Sequence, residues 1–170
     1  SITIGSGYKR TDKNDNEQIN LNLATVFRDE TNEDLPTKST IGNKTSDIVG
    51  NFIYKPNSIF NFQYDFSFDN DLSRSNYDSF KTEISVNNFV TSFQYLEENN
   101  IIGNESFLAN QTSIGFDDNN SLKFSTRRNK KTDLTEFYKL AYQYKNDCLT
   151  AAVEYNKQYY EDSDLKPTED

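Results

Sequence analysis

Runs of about ten residues in which apolar and polar side chains alternate recur along this chain, separated by Asn/Asp-rich segments. In the clearest run, 60–69, Phe60, Phe62, Tyr64, Phe66 and Phe68 alternate with Asn, Gln, Asp and Ser. Because successive side chains of a β-strand point to opposite faces, each run predicts a strand with one apolar and one polar face. Such a sheet either packs its apolar face on a core or, in a membrane barrel, presents that face to lipid and the polar face to a lumen.

The alternation predicts about ten strands, with no convincing helical period. Their expected spans are 1–9, 17–28, 46–55, 59–69, 77–87, 88–97, 107–117, 120–129, 133–145 and 148–160. In the ninth span, Leu134, Tyr138, Leu140, Tyr142 and Tyr144 are expected on the apolar face. Short turns alternate with longer links through most of the chain. One end of an up-and-down sheet is therefore expected to have tight turns, and the other end longer loops.

Strand length and composition favour a membrane barrel over a soluble sheet. The expected strands suit a tilted crossing of a bilayer, which needs about 9–11 residues, whereas strands of soluble proteins average about 5–6. Only 34% of the residues are hydrophobic, yet 14% are aromatic, so the apolar surface is concentrated in bulky, periodically spaced side chains. We therefore predict an all-β, antiparallel, up-and-down portion of a transmembrane β-barrel, with Phe60, Phe62, Tyr64, Phe66 and Phe68 facing lipid. A porin-like transport barrel and a soluble β-sheet adhesin or binding module are the alternatives.

Charged side chains in the middle of strands are expected on the polar face. That face would be a hydrated lumen in a barrel and a solvated surface in a soluble sheet. The residues are Asp65, Lys81, Glu83, Lys123, Arg127, Glu136 or its neighbour Lys139, and Glu154.

The charge and the residue types present exclude several functions. A formal net charge of −9 argues against a nucleic-acid-binding protein, and the short basic run 127–131 is interpreted as a solvated strand end rather than an anion site. The chain has no His, which excludes Ser-His-Asp and Cys-His nucleophiles. The acidic pairs 69/71, 97/98 and 117/118 fall where turns or loops are expected, and segment 69–71 lacks the rest of a calcium loop. We predict no enzyme, no cofactor and no metal site.

Cys148 is the only cysteine, and it follows the expected tight turn 145–147. A lone cysteine in a secreted protein suggests a disulfide partner elsewhere. From the residues alone, a disulfide to a partner outside this chain and an inert, half-buried thiol are equally good interpretations.

Several segments resemble the LPS-assembly outer-membrane protein LptD, in its alphaproteobacterial style. In the C-terminal third they are the block Asp147-Cys148-Leu149-Thr150 and the later segment Asp164-Leu165-Lys166-Pro167. Earlier in the chain they are Ser46-Asp47-Ile48-Val49-Gly50, Tyr54-Lys55-Pro56-Asn57 and Phe66-Ser67-Phe68-Asp69. The resemblance covers roughly residues 19–170, and the block around Cys148 is its most specific part.

The resemblance implies insertion of lipopolysaccharide (LPS) into the outer leaflet of the bacterial outer membrane. It implies a large barrel with a periplasmic N-terminal β-jellyroll, a lateral opening between the first and last strands, and an LptE-like plug lipoprotein in the lumen. LPS and a periplasmic LPS-bridge protein are the other implied partners, and Cys148 corresponds to a cysteine that pairs with the N-terminal region. Residues 1–170 would then be a fragment of one barrel domain that lacks the periplasmic domain, the first strand and the final strand.

Overall fold

Ten antiparallel strands form one open sheet in the computed structural model, which describes residues 1–36, 39–99 and 102–159. The strands are β1 (Ile2–Thr11), β2 (Glu17–Phe27), β3 (Ile48–Tyr54), β4 (Phe60–Phe68), β5 (Ser75–Val86), β6 (Phe89–Glu98), β7 (Ser106–Gly115), β8 (Asn120–Asn129), β9 (Leu134–Lys145) and β10 (Thr150–Gln158). Each predicted strand is confirmed, with ends that agree to within two residues. Residues 160–170, which contain the Asp164–Pro167 segment of the family resemblance, lie outside the described residues.

Each strand pairs with the next one along the chain, so the sheet is an up-and-down meander with β1 and β10 at its edges. One end, called here the short-turn end, has connections of two to five residues: 12–16, 55–59, 87–88, 116–119 and 146–149. The other end, the long-loop end, has connections 28–47, 69–74, 99–105 and 130–133. Connection 28–47 is the longest and contains a single 3₁₀ turn, Thr40–Gly42. The predicted sorting of turns and loops is confirmed, although 130–133 is as short as some turns at the opposite end.

Asn and Asp side chains close three of the short turns. Asn57, Asp117 and Asn146 each accept hydrogen bonds of 2.7–3.0 Å from the backbone N–H groups two and three residues later. The side-chain amide of Asn120 also donates to Asp117, and this hydrogen bond, together with that from the Asn119 N–H, lowers the pKa of the Asp117 carboxyl group. The acidic pair 117/118 therefore contains a carboxylate that closes a turn.

Cross-strand pairing fixes which residues share a face, because directly opposed residues of an antiparallel pair point to the same side. Tyr64 is directly opposite Phe52 in β3 and Phe80 in β5, and Phe80 is directly opposite Tyr95 in β6. These four residues therefore lie on the same, apolar face. The charged mid-strand residues predicted for the polar face do lie on that face, opposite the one that carries Tyr64. They are Asp65 in β4, Lys81 and Glu83 in β5, Lys123 and Arg127 in β8, Lys139 in β9 and Glu154 in β10.

Two β-bulges shift the register at the long-loop end. The extra residue is Asn76 in β5 and Glu136 in β9. Because of the β9 bulge, Leu134 pairs with Asn129, which is on the polar face, so Leu134 lies on the polar face too. The prediction that Leu134 is on the apolar face is therefore wrong. An extra residue changes the phase of the alternation, which the pattern of one strand alone does not reveal.

In a soluble sheet the apolar side chains are buried and the polar ones are exposed, and in this sheet that exposure is inverted. In β9 the apolar-face residues Tyr138, Leu140 and Tyr142 are 39%, 41% and 42% exposed, while the polar-face residues between them are half-buried. Among the described residues, Phe107 is the one buried hydrophobic residue, at 7% exposure, and it lies on the polar face. The apolar face therefore has no packed core above it. No helix within the described ranges is long and apolar enough to cross a membrane.

Candidate functional site

Aromatic rings form a continuous layer on the apolar face of β3–β6. The five aromatic side chains of β4 that are predicted to face lipid all lie on this face: Phe60, Phe62, Tyr64, Phe66 and Phe68. Tyr64 stacks on Phe80 with ring centroids 4.2 Å apart, and Phe66 contacts Phe68 at 5.2 Å. Such ring pairs add stability beyond the area that they cover. The layer is thus an apolar surface held together by contacts between its own side chains.

Gly50 in β3 makes room for one of these rings. Gly50 and Phe66 are direct cross-strand partners, and a Cβ atom at Gly50 would lie 2.3 Å from Cζ of Phe66. A glycine inside a strand often marks the close approach of another group. Here the Phe66 ring lies over the glycine backbone, so the aromatic layer continues across β3 without a side chain from position 50.

The polar face of β5–β10 is concave and lines an open cavity of about 840 Å³. Its charged lining residues are Lys81, Glu83, Lys123, Lys139 and Glu154, all of which are mid-strand charges predicted for the polar face. Lys139 pairs with Glu154 at 2.9 Å, whereas Lys81 and Lys123 make no ion pair within the described part of the chain. The cavity wall therefore carries charges of both signs among neutral hydroxyl and amide groups, and it can form hydrogen bonds to water and polar solutes.

The two other mid-strand charges of the polar face lie toward the long-loop end. Asp65 accepts a hydrogen bond of 2.7 Å from the side-chain amide of Gln63. The Arg127 guanidinium lies 3.9 Å from the centroid of the Phe107 ring and 2.7 Å from the Glu136 carboxylate. Arg127 covers the Phe107 ring, which explains why a hydrophobic side chain is buried on the polar face.

A network of buried polar side chains anchors the longest connection at the long-loop end. Asp47 is 5% exposed, and its carboxylate accepts hydrogen bonds from Ser67 at 2.9 Å and from Asn76 at 2.8 Å. Its backbone N–H donates to Thr40 in the 3₁₀ turn. Asn76, the bulge residue of β5, is 2% exposed and also donates to Asp69 at 2.6 Å. The network thus ties connections 28–47 and 69–74 to β4 and β5.

The alternation pattern does not identify this network. Ser67 and Asn76 are 20 and 29 residues from Asp47 along the chain, and Asn76 reaches the carboxylate from a bulge. The available signal is local: Ser46-Asp47 directly precedes β3, where short polar side chains commonly bond to the backbone.

Loop residues border the polar face at the long-loop end. Ser39 and Thr40 from connection 28–47 and Ile102 from connection 99–105 line a second cavity, of about 250 Å³. Asp65 and Tyr77, on the polar face of β4 and β5, line the same cavity. The polar face is therefore bounded by loops as well as strands at this end.

The family model for LptD, LPS transport system D, matches residues 1–117, which include β1–β7. The chain belongs to the LptD family. A comparison with curated proteins finds no match. The family resemblance is thereby confirmed on residues that precede the block around Cys148.

Membership of the LptD family assigns this chain to LPS transport and assembly in the outer membrane. Transport of this kind is not an enzymatic activity. The up-and-down antiparallel sheet with one apolar and one polar face has the architecture of a portion of an outer-membrane β-barrel.

A small polar cluster interrupts the apolar face of this LptD sheet in β6 and β7. The hydroxyl groups of Thr91 and Thr112 lie 2.8 Å apart, while the side-chain amide of Asn110 donates to Thr91 and accepts from Thr112, both at 3.2 Å. Because the three side chains satisfy one another, an apolar environment can accommodate them.

Cys148 lies in turn 146–149, at the short-turn end of the LptD sheet. Its backbone N–H donates to the Asn146 side chain at 3.0 Å, and its thiol is exposed and unpaired within the described residues. The exposure contradicts the half-buried alternative for this thiol. The disulfide to a cysteine outside the chain stays a prediction.

Segment 69–71 of this LptD family member is a turn held by its own side chains. The Asp69 carboxylate contacts Arg74 at 3.0 Å, and Asp71 accepts the Ser73 N–H at 2.9 Å. Hydrogen bonds from Ser73 lower the pKa of the Asp71 carboxyl group. Within the described ranges, no three His, Cys, Asp or Glu side chains form a group that could hold a metal ion.

Proposed function

We propose that this sheet is part of the wall of an LptD barrel that inserts LPS into the outer leaflet of the outer membrane. The apolar face, including the five aromatic residues of β4, faces lipid, and the concave polar face lines the lumen. The observation that carries the proposal is the inverted exposure. Large apolar side chains such as Leu140 are exposed on one face, and the buried Phe107 lies on the polar face.

The two faces have opposite solvent requirements. Removing apolar surface from water contributes about 25 cal/mol per Å², so the exposed aromatic face is stabilised in lipid. The unpaired charges of Lys81 and Lys123 require water, which a hydrated lumen supplies. A soluble adhesin or binding module would need a second layer over the apolar face, and the described residues form a single sheet.

Two adjacent substitutions in β9 test the orientation of the sheet. Leu140 lies on the apolar face, and Ala141 lines the concave cavity. In the full-length protein folded into lipid vesicles, Leu140→Arg should lower the free energy of unfolding by about 2–4 kcal/mol, the cost of Arg near the bilayer midplane. Ala141→Arg should lower it by less than about 1 kcal/mol, because the lumen is hydrated. Urea titration measures both values, and an equal or larger cost at Ala141 would contradict the proposed orientation.

The proposal extends to parts of the protein outside these ten strands. β1 and β10 pair with further strands of the same barrel, since each has one neighbour in this sheet and an unpaired strand edge is costly in lipid. The first and final strands of the barrel, which border the lateral opening, are among those further strands. An LptE-like lipoprotein occupies the lumen, and the periplasmic LPS-bridge protein binds an N-terminal periplasmic domain.

A disulfide between Cys148 and that N-terminal domain would place the short-turn end in the periplasm, an oxidising compartment. Non-reducing and reducing gels of full-length protein from outer membranes, with mass-spectrometric mapping of Cys148, should detect the bond. Cys148→Ser is the control and should remove the mapped cross-link. A free Cys148 thiol in a protein that has the periplasmic domain would contradict the pairing, without bearing on the orientation test in β9.

A further inference from the structure

The apolar face of β8–β10 ends in positive charge at the long-loop end. Directly opposed residues of β8, β9 and β10 form rows across this face. Starting from the short-turn end, the rows are Leu122-Tyr142-Val153, Phe124-Leu140-Tyr155 and Thr126-Tyr138-Lys157. Arg128 follows two residues beyond Thr126, on the same face. The connection 130–133 adds Lys130 and Lys131 at this end. We call Arg128, Lys130, Lys131 and Lys157 the basic rim.

The cations of the basic rim are accessible. Lys157 is exposed, its ammonium lies 4.8 Å from the centroid of the Tyr159 ring, and it makes no ion pair within the described residues. Arg128 pairs with Asp133 at 2.7 Å, and the two side chains are 50% and 76% exposed. An exposed ion pair of this kind contributes little, so a stronger anion can replace Asp133. The nearby Glu105 and Glu136 carboxylates lie beside Arg127 on the polar face instead.

Elsewhere on the apolar face, the described strands carry one cation, Arg10 of β1, which lies at the short-turn end in line with Ile19 and Tyr54. At the short-turn end of β8–β10, the corresponding row is Asn120, Tyr144 and Ala151, which carries no charge. At the long-loop end of β5 and β6, the apolar face carries Asp78 and Glu97 as direct cross-strand partners. The basic rim is therefore a feature of β8–β10 rather than a general property of the strand ends.

We propose that the basic rim binds the phosphate groups of membrane lipids whose acyl chains cover the apolar face of β8–β10. The inference rests on the proposed lipid-facing orientation of that face. A ligand that covers both Leu140 and Lys157 must be apolar along most of its length and anionic at one end, which describes an anionic lipid. A soluble anion would satisfy the cations but would leave the adjoining apolar rows exposed to water.

The side chains of the basic rim suit a phosphate at a membrane surface. Guanidinium groups such as that of Arg128 bind phosphate oxygens with two parallel hydrogen bonds, and lysine ammonium groups supply point charges. Tyr138 and Tyr159 lie near Lys157, and tyrosine favours the boundary between hydrocarbon and head groups. Lys157 can extend its aliphatic stem along the hydrocarbon while its ammonium reaches the head groups.

Quenching by brominated lipids tests the proposal in the full-length protein. Tyr155→Trp in a tryptophan-free background places a reporter on the apolar face, one row from Lys157. In vesicles of phosphatidylcholine, brominated phosphatidic acid should quench this tryptophan with an association constant about three- to tenfold higher than that of brominated phosphatidylcholine. The double substitution Arg128→Gln and Lys157→Gln should lower the ratio about twofold or more, while Lys130 and Lys131 remain. High salt should reduce it as well, because exposed charges are screened.

The matched control is Lys81→Gln with Lys123→Gln, which removes two cations from the polar face and should leave the ratio unchanged. Equal quenching by the two lipids in the unsubstituted protein, or a ratio that loss of Arg128 and Lys157 leaves unchanged, would overturn the basic-rim proposal alone. Failure of both lipids to quench the tryptophan would overturn the orientation of the apolar face, and the basic-rim proposal with it.

Discussion

Asn76→Ala should destabilise the sheet strongly, because Asn76 is at the centre of the buried network. Asn76 is 2% exposed, and its side-chain amide donates hydrogen bonds to two carboxylates, at 2.8 Å to Asp47 and at 2.6 Å to Asp69. A hydrogen bond to a charged group contributes about 1.5–3 kcal/mol. The lower value applies because Asp47 keeps Ser67 as a donor and Asp69 keeps Arg74. The expected loss in the free energy of unfolding is therefore about 3 kcal/mol.

Asn22→Ala is the matched control for this prediction. The Asn22 amide is exposed and donates one hydrogen bond, of 2.9 Å, to Asn20, so its loss should cost less than about 1 kcal/mol. Urea titration of both variants of the full-length protein in lipid vesicles measures the difference. Protease cleavage within connection 28–47 should also rise in Asn76→Ala alone, since Asp47 loses part of its anchor. Equal unfolding free energies together with identical cleavage patterns would refute the stabilising role of the network.

Three further substitutions test other parts of the sheet. Gly50→Val should cost about 1–3 kcal/mol in thermal or urea unfolding, because the new side chain displaces the Phe66 ring. Asn110→Ala should cost about 1–3 kcal/mol by the same measurements, since Thr91 and Thr112 each lose one of their two hydrogen-bond partners. Gln111→Ala on the polar face should be nearly neutral. The pKa of the Asp117 carboxyl group is lowered in the folded turn. The stability that this carboxylate contributes to the turn is therefore present above the usual pKa of 3.8 and is lost as the pH falls through the lowered value. Amide hydrogen exchange in the turn should show this pH dependence, and Asp117→Asn should remove it.

The strands and faces of this sheet are predictable from the sequence because each depends on local alternation. In a strand with one apolar face, apolar and polar residues alternate with a period of two, whichever strands it pairs with. The alternation from Phe60 to Phe68 therefore indicates both the strand and its apolar face. The turns are equally local, because Asn57 and Asp117 bond to the backbone within three residues. Sequence reasoning therefore succeeds where the determining contacts lie close together along the chain.

The bulges, the buried network and the basic rim depend on distant parts of the chain. Leu134 changes face because Glu136 is an extra residue relative to β8, which the sequence of β9 alone does not show. Lys157 belongs with Arg128 only after the register of β8, β9 and β10 is known. Run 127–131 consequently reads as a solvated strand end in the sequence, and the structure divides it between two faces, with Arg127 on one and Arg128 on the other.

The low hydrophobic content of the chain follows from its single-layer architecture. A soluble two-layer domain must supply apolar side chains from both layers to fill the space between them, whereas a barrel wall needs them on one face and receives the second layer from lipid. Large rings then cover more surface per residue than aliphatic side chains, as Phe66 does over Gly50. A hydrophobic fraction of 34% with 14% aromatic residues is thus sufficient for this sheet, and it would be insufficient for a packed core of the same size.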